Sequence, residues 1–537
     1  MKLEMINHQL SVSAQLNTED LAQLSSQGVE ILICSRPDGE ADNQAPFSEI
    51  LQAAHKVGIQ AEHLPFVGSE MSQQLINEFA RHISTGKRIH GYCRTGNRVK
   101  MLWQASQTTA TQQQGKENTI SSSQSTGIPH FDVVIIGAGS GGISVAASLL
   151  KRLPKTRIAL IDPASDHYYQ PGWTMVGGGV FDQTSTRRAM KNLIPNGVSW
   201  IKQAVIGFDE KADRVRLDND SAIHYEHLVI AAGLKLDWQG IEGLTETLGK
   251  NGVTSNYRYD LAPYTWELVQ ELKQGKVIFT QPPMPIKCAG APQKALYLSA
   301  DYWYKNGAQK NIDLNFYNAG GVLFGVKEYV PALSSYMEKY QAKLHFSHTL
   351  TKIDGESKTV WFNTKSEDGS NITVSSNFDM IHVCPPQCAP DFIRNSVFAD
   401  ANGWVDVDQY TLRHKTFQNV WGLGDVTNTP NAKTMAAVRK QAPVVAQNIT
   451  DVLNHKSPSV AYDGYGSCPL TVERGKIVLA EFAYGGKLAP SFPKWMNDGT
   501  QPTRLAWRLK ADVLPMIYWH GMLKGHEWMA SPQKITT

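Results

Sequence analysis

The chain has 537 residues, 42% of them hydrophobic and 19% charged; that exceeds the roughly 250–300 residues a single core serves, and the apolar content excludes a mostly disordered chain. Its 52 basic and 49 acidic residues leave a formal charge of +3, which excludes a whole-molecule field able to gather nucleic acid. The six cysteines, Cys34, Cys93, Cys288, Cys384, Cys388 and Cys468, are too sparse for a secreted disulfide scaffold, the first residues carry no cationic and apolar leader, and no apolar run reaches the roughly 18–20 residues of a spanning helix; a cytosolic protein with chemically employed cysteines is expected.

In chain order, VEILICS and IQAEHLPF read as strands, and FSEILQAAHKVG and SQQLINEFARHIST repeat apolar residues at helical spacing. A small α/β domain is expected over 1–108. Within it, RIHGYCRTGNRV sets Cys93 at the start of a C-x-x-G-x-R loop closed by Arg98. Inward-pointing amides and an arginine stabilise a thiolate and any anion it holds. With four residues between Cys93 and Arg98, the loop is one residue tighter than a tyrosine-phosphatase loop and resembles the persulfide-cradling loop of rhodaneses. The surrounding domain, with ILICSRPDGEADNQ, resembles a phosphatase-like family found beside sulfur-metabolism enzymes, which implies Asp38 as an acid. Sulfur transfer through Cys93 is the favoured reading, phosphate cleavage the alternative and an inactive structural turn the third.

The stretch QASQTTATQQQGKENTISSSQSTGIPH is rich in Ser, Thr and Gln and nearly free of large apolar residues. A flexible linker is expected over 109–129. After it, strand and helix patterns alternate, which predicts doubly wound parallel sheets.

FDVVIIGAGSGGISVAASLL places an apolar strand before Gly137-x-Gly139-x-x-Gly142 and a helix after it. Gly137 permits the turn, Gly139 lets backbone approach a pyrophosphate, and Gly142 lets the helix lie close to the strand. A second strand, RIALID, ends in Asp162, positioned for a ribose hydroxyl. HLVIAAG, ending at Gly233, and FQNVWGLGDV, with Gly424 and Asp425, recur in two-dinucleotide-domain flavoproteins and point to FAD. The helix after Lys433 and Thr434 aims its positive end at the flavin. The fold expected is therefore an α/β flavoprotein of two Rossmann-like parallel sheets over 130–460, with FAD-binding parts near 130–260 and 385–460 and a second dinucleotide-like domain near 261–384. No metal site is expected.

The second domain lacks another glycine fingerprint: VIFT runs into a proline-rich loop, PPMPIKCAGAPQK, that carries Cys288. This argues against NAD(P)H and for electrons entering through a thiol, whose pKa nearby amides and Lys287 lower.

At this point IIGAGSGGISVAA, DHYYQPGWTMVGGG, KCAGAPQK, GGVLFGVKEY, ANGWVDVD, VWGLGDVTNTPNAKT, YDGYGSCPL and ADVLPMIYW, in order from about 132 to 525, resemble the sulfide:quinone oxidoreductase family, in its mitochondrial-like branch. The resemblance implies bound FAD, a redox cysteine pair on one flavin face, sulfide with a small thiol or sulfite as sulfur acceptor, and a membrane quinone. Cys288 matches the flavin-proximal cysteine. The family's second cysteine is expected just after the Gly-Asp pair, where this chain has Val426. Cys384 and Cys388 in IHVCPPQCAPD are the candidates to replace it, and Cys288 acting alone is the alternative.

Near the C-terminus, over 461–537, Trp507, Ile517, Tyr518, Trp519, Met522 and Leu523 stand among Arg508, Lys510 and Lys524. Aromatics beside cations suit a headgroup interface; a packed helix pair or a homodimer contact is the competing reading. Pro515 is expected to break or kink any long helix here. A cytoplasmic enzyme held peripherally on the inner membrane is the expected whole. The other readings are an NADH:quinone reductase with an N-terminal phosphatase, and a sulfur carrier or sensor in which FAD is only structural.

Overall fold

The computed structural model describes residues 3–7, 9–41, 44–66, 71–114, 128–431 and 433–535. They fall into two compact units, Met1–Thr126 and Gly127–Thr537.

In the first unit, five strands lie in the order Glu4–Met5, Leu10–Ser13, Ile89–Tyr92, Ile31–Cys34, Gln60–His63. All pairs are parallel except the edge pair of Glu4–Met5 with Leu10–Ser13. A strand buried on both faces must be apolar at every position. Ile31–Cys34 is such a strand: Ile31 and Ile33 join one core with Phe79 and Val99, while Leu32 and Cys34 join another with Leu24 and Ile50. Gly91 is the point of closest approach, because a Cβ there would stand 2.3 Å from Val99 Cγ1 on the next helix.

That helix, Asn97–Gln114, runs into the stretch expected to be a linker. From Asn97 to Gln114 no Gly or Pro interrupts the chain, and Val99 and Leu102 anchor its first turns in the core, so Gln and Ala extend the helix at little cost. The rest of the expected linker, 115–127, lies outside the described residues.

The second unit is built on two sheets, parallel as the alternating pattern predicts except where Arg214–Leu217 runs antiparallel to both Ala222–Ile230 and Val205–Asp209 at one edge of the first. The first runs Val198–Ile201, Ile158–Ile161, His130–Ile136, Ala222–Ile230, Arg214–Leu217, Val205–Asp209, and Val420–Gly422 also pairs with Ala222–Ile230. The second runs Val253–Thr254, Met380–His382, Gly275–Gln281, Ile312–Asn318, Lys343–Phe346. Helices Ser140–Arg152 and Met435–Leu453 pack against each other in the core of the first sheet. Helix Ala291–Lys305 follows the central strand of the second. A hairpin, Gly466–Glu473 with Lys476–Phe482, joins the core of the second sheet through Leu470, Val472, Val478 and Ala480.

The two glycines of the first turn separate packing from binding. A Cβ on Gly142 would stand 1.9 Å from Gly137 O, whereas one on Gly139 meets nothing within 4 Å. Gly142→Ala is therefore expected to destabilise the protein by about 1–3 kcal/mol and to lower its thermal midpoint with or without cofactor. Gly139→Ala, at an ordinary φ of −70°, is expected to leave the apo-protein's midpoint unchanged and to lower FAD content; calorimetry and flavin absorbance of the purified variants check both.

Candidate functional site

The C-terminal edges of the first sheet open onto a cavity of about 470 Å³. Gly137 turns at φ +96°, Gly233 at +69° and Gly424 at +75°, conformations in which a Cβ is strained, and all three line the cavity with Gly139. Asp162 accepts the Ala138 N–H at 2.7 Å and the Ala164 N–H at 2.8 Å, so its carboxylate also holds the glycine turn in shape. Burial pushes the Asp162 carboxyl above its usual range. Across the cavity, Thr434 caps helix Met435–Leu453 by accepting the Ala437 N–H at 3.2 Å. The N-terminal amides of this helix face the same space. Lys433 donates to Asp425 O at 2.8 Å and Thr427 O at 2.6 Å and lies 3.8 Å over the Trp404 ring. Burial presses its ammonium down to about 8.

Two further lining residues keep buried polar atoms without a partner among the described residues: the Trp173 indole N–H and both side-chain atoms of Asn256. Unsatisfied buried groups are costly. Together with the open glycine cradle and a helix N-terminus for a pyrophosphate, they fit the dinucleotide that the sequence indicates. Gly137, Gly139, Gly233, Gly424, Asp425, Lys433 and Thr434 would hold FAD here.

The cysteines sort differently from expectation. Cys288 lies in the loop between strand Gly275–Gln281 and helix Ala291–Lys305 and lines the cavity. Its N–H donates to Lys433 O at 2.8 Å and its own carbonyl accepts the Ala291 N–H at 2.7 Å. It adopts φ +48°, a left-handed conformation that costs a non-glycine residue about 1–3 kcal/mol and persists only where surroundings enforce it. The sulfur it faces belongs to neither Cys384 nor Cys388: Cys468 Sγ stands 3.6 Å from Cys288 Sγ. Gly290 makes room, since a Cβ there would stand 2.7 Å from Cys468 Sγ. Cys384 is instead a buried thiol beside Tyr257 and Ile286, pushed by burial up to about 12. Cys388 sits on the short strand Gln387–Cys388 paired with Lys235–Leu236. Strand Met380–His382 leads Cys384 to a cluster with Ile286 and Ala289 of the Cys288 loop, whereas the C-terminal hairpin brings Cys468 to the Cys288 sulfur. Cys468 lies in YDGYGSCPL, one of the segments that carry the family resemblance; its presence there was the available signal.

Two lysines complete this pocket: Lys294, missed in the sequence, and Lys510, expected at a headgroup interface. Lys294, in the first turn of helix Ala291–Lys305, brings its Nζ to 2.9 Å of Cys288 Sγ. Lys510 is 4% exposed and donates to Pro171 O at 3.4 Å, and burial together with Lys294 presses it down to about 8. The Cys468 contact, then Lys294 and Lys510, hold the Cys288 thiol well below the usual thiol range against the effect of burial. Cys468, hydrogen-bonded to that sulfur and buried, is pushed well above it.

At the C-terminus the structure corrects the expected membrane face. Tyr518, Trp519, Met522 and Leu523 are buried, as is Lys510. Tyr518 OH meets Ser140 Oγ at 2.8 Å and also His167 Nε2, which ties this segment to the glycine turn. Helical turns continue from Arg504 to Lys524 across Pro515, with wide π-turns over Leu509–Val513 and Ile517–Gly521 absorbing the proline. The most exposed large apolar side chains of the C-terminal region are others: Trp495, Met529, Met516 and Trp528.

In the first unit, Cys93 is buried after strand Ile89–Tyr92 and accepts the Gly96 N–H at 3.1 Å. Arg98 does not hydrogen-bond this sulfur; its guanidinium forks onto Glu40, at 2.5 Å and 3.1 Å, and the same carboxylate accepts Arg36 Nε at 3.0 Å. Both partners hold Glu40 below the usual carboxylate range, Arg98 foremost. Asp38, expected as an acid, accepts the Phe47 N–H at 2.9 Å at the start of helix Phe47–Lys56. Glu40, two residues further along the same segment, is the acid that meets the loop arginine.

Comparison with known proteins agrees with these features. Residues 2–110 match the family described as beta-lactamase hydrolase-like protein, phosphatase-like domain, and residues 131–267 match pyridine nucleotide-disulphide oxidoreductase. Over 401 residues the chain is 42% identical to the mitochondrial sulfide:quinone oxidoreductase of Dictyostelium discoideum, covering 73% of this chain and 86% of that protein. With the mitochondrial sulfide:quinone oxidoreductase of Mus musculus it shares 36% identity over 397 residues, covering 74% and 87%. The fold is that of the sulfide:quinone oxidoreductase structure from Aquifex aeolicus, with a TM-score of 0.61 at 19% identity, covering 74% of this chain and 92% of that one.

Because Lys294 favours the Cys288 thiolate, Lys294→Met is expected to move that thiol's titration upward by about 1–3 pH units. The wild-type thiolate persists as pH falls below the usual thiol range and is lost only at its lowered pKa; in the variant it is lost at higher pH. The pH profile of Cys288 alkylation by iodoacetamide in the reduced protein measures the shift.

Proposed function

The chain belongs to the sulfide:quinone oxidoreductase family, and from this premise we propose that Cys288 and Cys468 are the pair through which the electrons of sulfide reach FAD on their way to quinone. The observation that carries the reading is the 3.6 Å approach of the two sulfurs beside Lys294, in the wall of the FAD cavity. The protein is an FAD-dependent oxidoreductase that oxidises sulfide and reduces quinone.

The asymmetry of the pair sets the direction of attack. In thiol–disulfide exchange the sulfur with the lower pKa leaves faster. Hydrosulfide therefore attacks Cys468 of the oxidised pair: a bond forms from its sulfur to Cys468 Sγ, the Sγ–Sγ bond breaks, and Cys288 leaves as a thiolate paired with Lys294. Cys468 then carries a persulfide. A nucleophilic acceptor, a small thiol or sulfite, takes its terminal sulfur and leaves the Cys468 thiolate. The two thiolates re-form the disulfide by giving up two electrons. FAD, when bound, supplies the two-electron acceptor that passes them to quinone. Lys294 and Lys510 hold the anionic sulfur species in the pocket, and Lys433 O positions Cys288 through its N–H.

We assign the surface that meets a membrane to Met516, Trp528 and Met529, exposed at 60%, 57% and 67%, with Lys524 between them in sequence; exposed large apolar side chains beside a cation suit an interface. Trp528 and Met529 also line the cavity, so a bilayer quinone would enter at that edge. Among the described residues no helix is long and apolar enough to cross a membrane. For the first unit, sulfur transfer remains the favoured reading: the Gly96 amide already serves the Cys93 sulfur, and a tight loop suits a persulfide.

Anaerobic sulfide is expected to bleach the flavin, NADH to leave it oxidised, and quinone to restore it. Cys288→Ala and Cys468→Ala should keep FAD and lose the sulfide response; normal reduction in either would remove that cysteine from the proposed pair. For the first unit, Cys93→Ser in the full chain is expected to abolish thiosulfate or persulfide sulfur transfer at that site, while turnover of an aryl phosphate alone would establish the phosphatase reading instead.

A further inference from the structure

The hairpin that carries Cys468 has two chemically different faces. Side chains alternate across a strand, so Cys468 and Leu470 face the sulfur pocket and the second core, whereas Ser467 and Pro469 line the cavity on the other side. On the partner strand, Leu479 and Glu481 line the cavity too. Glu481 is 4% exposed. Its Oε1 accepts the Tyr465 hydroxyl at 2.5 Å and the Ser491 hydroxyl at 2.5 Å, and its Oε2 accepts the Ser491 N–H at 3.1 Å. Phe492, Leu509, Leu514 and Ile517 form apolar walls in the same cavity.

The cations nearest this network come from helix Met435–Leu453: Arg439 lies within electrostatic range of both Glu481 and Tyr465, and Lys440 Nζ lies 5.6 Å from the centre of the Tyr465 ring; Tyr329 also lies within electrostatic range of Glu481. Tyr329 hydrogen-bonds only the Glu481 backbone. No ion pair neutralises Glu481 within 4.0 Å among the described residues. A buried carboxyl with two hydroxyl donors and no ion-pair partner is built to exchange a proton, not to anchor a cation.

Quinone reduction consumes two electrons and two protons for each quinol formed. The electrons come from the reduced cofactor, and the protons must come from a group that lines the cavity beside the apolar walls. We propose that Glu481, with Tyr465 and Ser491, is the proton relay to the quinone oxygen. The Glu481 carboxyl gives its proton to the oxygen as electrons arrive, an O–H bond forming on quinone as that on the carboxyl breaks. Bulk water reprotonates the carboxylate through the two hydroxyls, and a second passage completes the quinol. The inference rests on the quinone reduction proposed above and adds the residues that carry its protons.

The test uses the full-length FAD-loaded protein in stopped flow, with decylubiquinone as oxidant of flavin reduced in one arm by sulfide and in the other by dithionite. Glu481→Gln, which preserves shape and removes the exchangeable carboxyl proton, is expected to bleach with sulfide at the wild-type rate and to bind decylubiquinone normally by fluorescence quenching of the oxidised protein. Its reoxidation should slow by about 10²-fold or more and lose the pH dependence and solvent isotope effect of the wild type. Tyr465→Phe should slow reoxidation less, in the same direction. Wild-type reoxidation and isotope effect in Glu481→Gln overturn the relay. Should that variant fail to hold FAD, the same two readouts in Tyr465→Phe decide: unchanged values overturn the relay. A wild-type protein that sulfide does not bleach defeats the sulfide reading alone, because the dithionite arm still reads the relay.

Discussion

The contact between the Lys294 ammonium and the Cys288 sulfur is the constraint on which the chemistry depends. Two thiols placed side by side are equivalent until something distinguishes them, and here a cation at 2.9 Å distinguishes them. A buried charge pair is unfavourable unless both members are satisfied, so the ammonium and the thiolate each need the other. On the proposed reading, one sulfur is the stable leaving group and the other the site of attack. The sequence supplies this with a short motif: Cys288 ends the loop, Gly290 leaves space for Cys468, and Lys294 follows in the first turn of the next helix, where its side chain reaches back toward the loop.

The same loop couples sulfur chemistry to the cofactor cradle. Cys288 gives its N–H to Lys433 O, and Lys433 in turn binds the carbonyls of Asp425 and Thr427. The left-handed backbone of Cys288 is held from both sides by these bonds, so its sulfur cannot drift from the cavity wall without breaking the Lys433 contact. Opposite, the hairpin Gly466–Glu473 with Lys476–Phe482 turns Cys468 to one face and Glu481 to the other. On the proposed reading, a single pair of strands thus carries a sulfur of the donating pair on one face and the proton donor of the accepting side on the other.

Much of this was legible in sequence because it depends on local signals. The glycine turn, Asp162, the Gly424-Asp425 segment and the helix start after Thr434 each follow from residues adjacent in the chain, and so did the parallel parts of the two sheets. Contacts between distant segments were not legible. Cys468 lies 180 residues beyond Cys288, and no periodicity reports which sulfur a hairpin will deliver to which loop. The aromatic and basic C-terminal segment read as a surface because composition does not record burial: Tyr518 and Trp519 look like interface anchors until His167 and Ser140 are seen to meet the tyrosine hydroxyl. Asp38 and Glu40 are two residues apart, yet one caps a helix and the other takes the loop arginine, a difference set by the turn between them. That a helix enters the first residues of the expected linker has a simpler reason, since absence of apolar residues does not stop a helix whose first turns are already packed.

The charge in the cavity ties cofactor binding to folding. Lys287, Lys294, Lys433, Lys510 and Arg439 line it, against Asp162, Asp425 and Glu481. Burial presses Lys433 and Lys510 each down to about 8. A lysine whose folded pKa lies below its unfolded value binds fewer protons when folded, so it opposes folding at neutral pH, and the opposition fades as pH rises from the folded toward the unfolded pKa. Anions that enter the cavity reverse this effect: a pyrophosphate at the helix N-terminus and a thiolate or persulfide beside Lys294 and Lys510 favour the charged ammonium groups. Ligands that bind only the folded chain stabilise it by mass action. The excess of buried cations is therefore a strain in the empty protein and an attraction in the loaded one, and it favours anionic ligands, the hydrosulfide of the proposed reaction included.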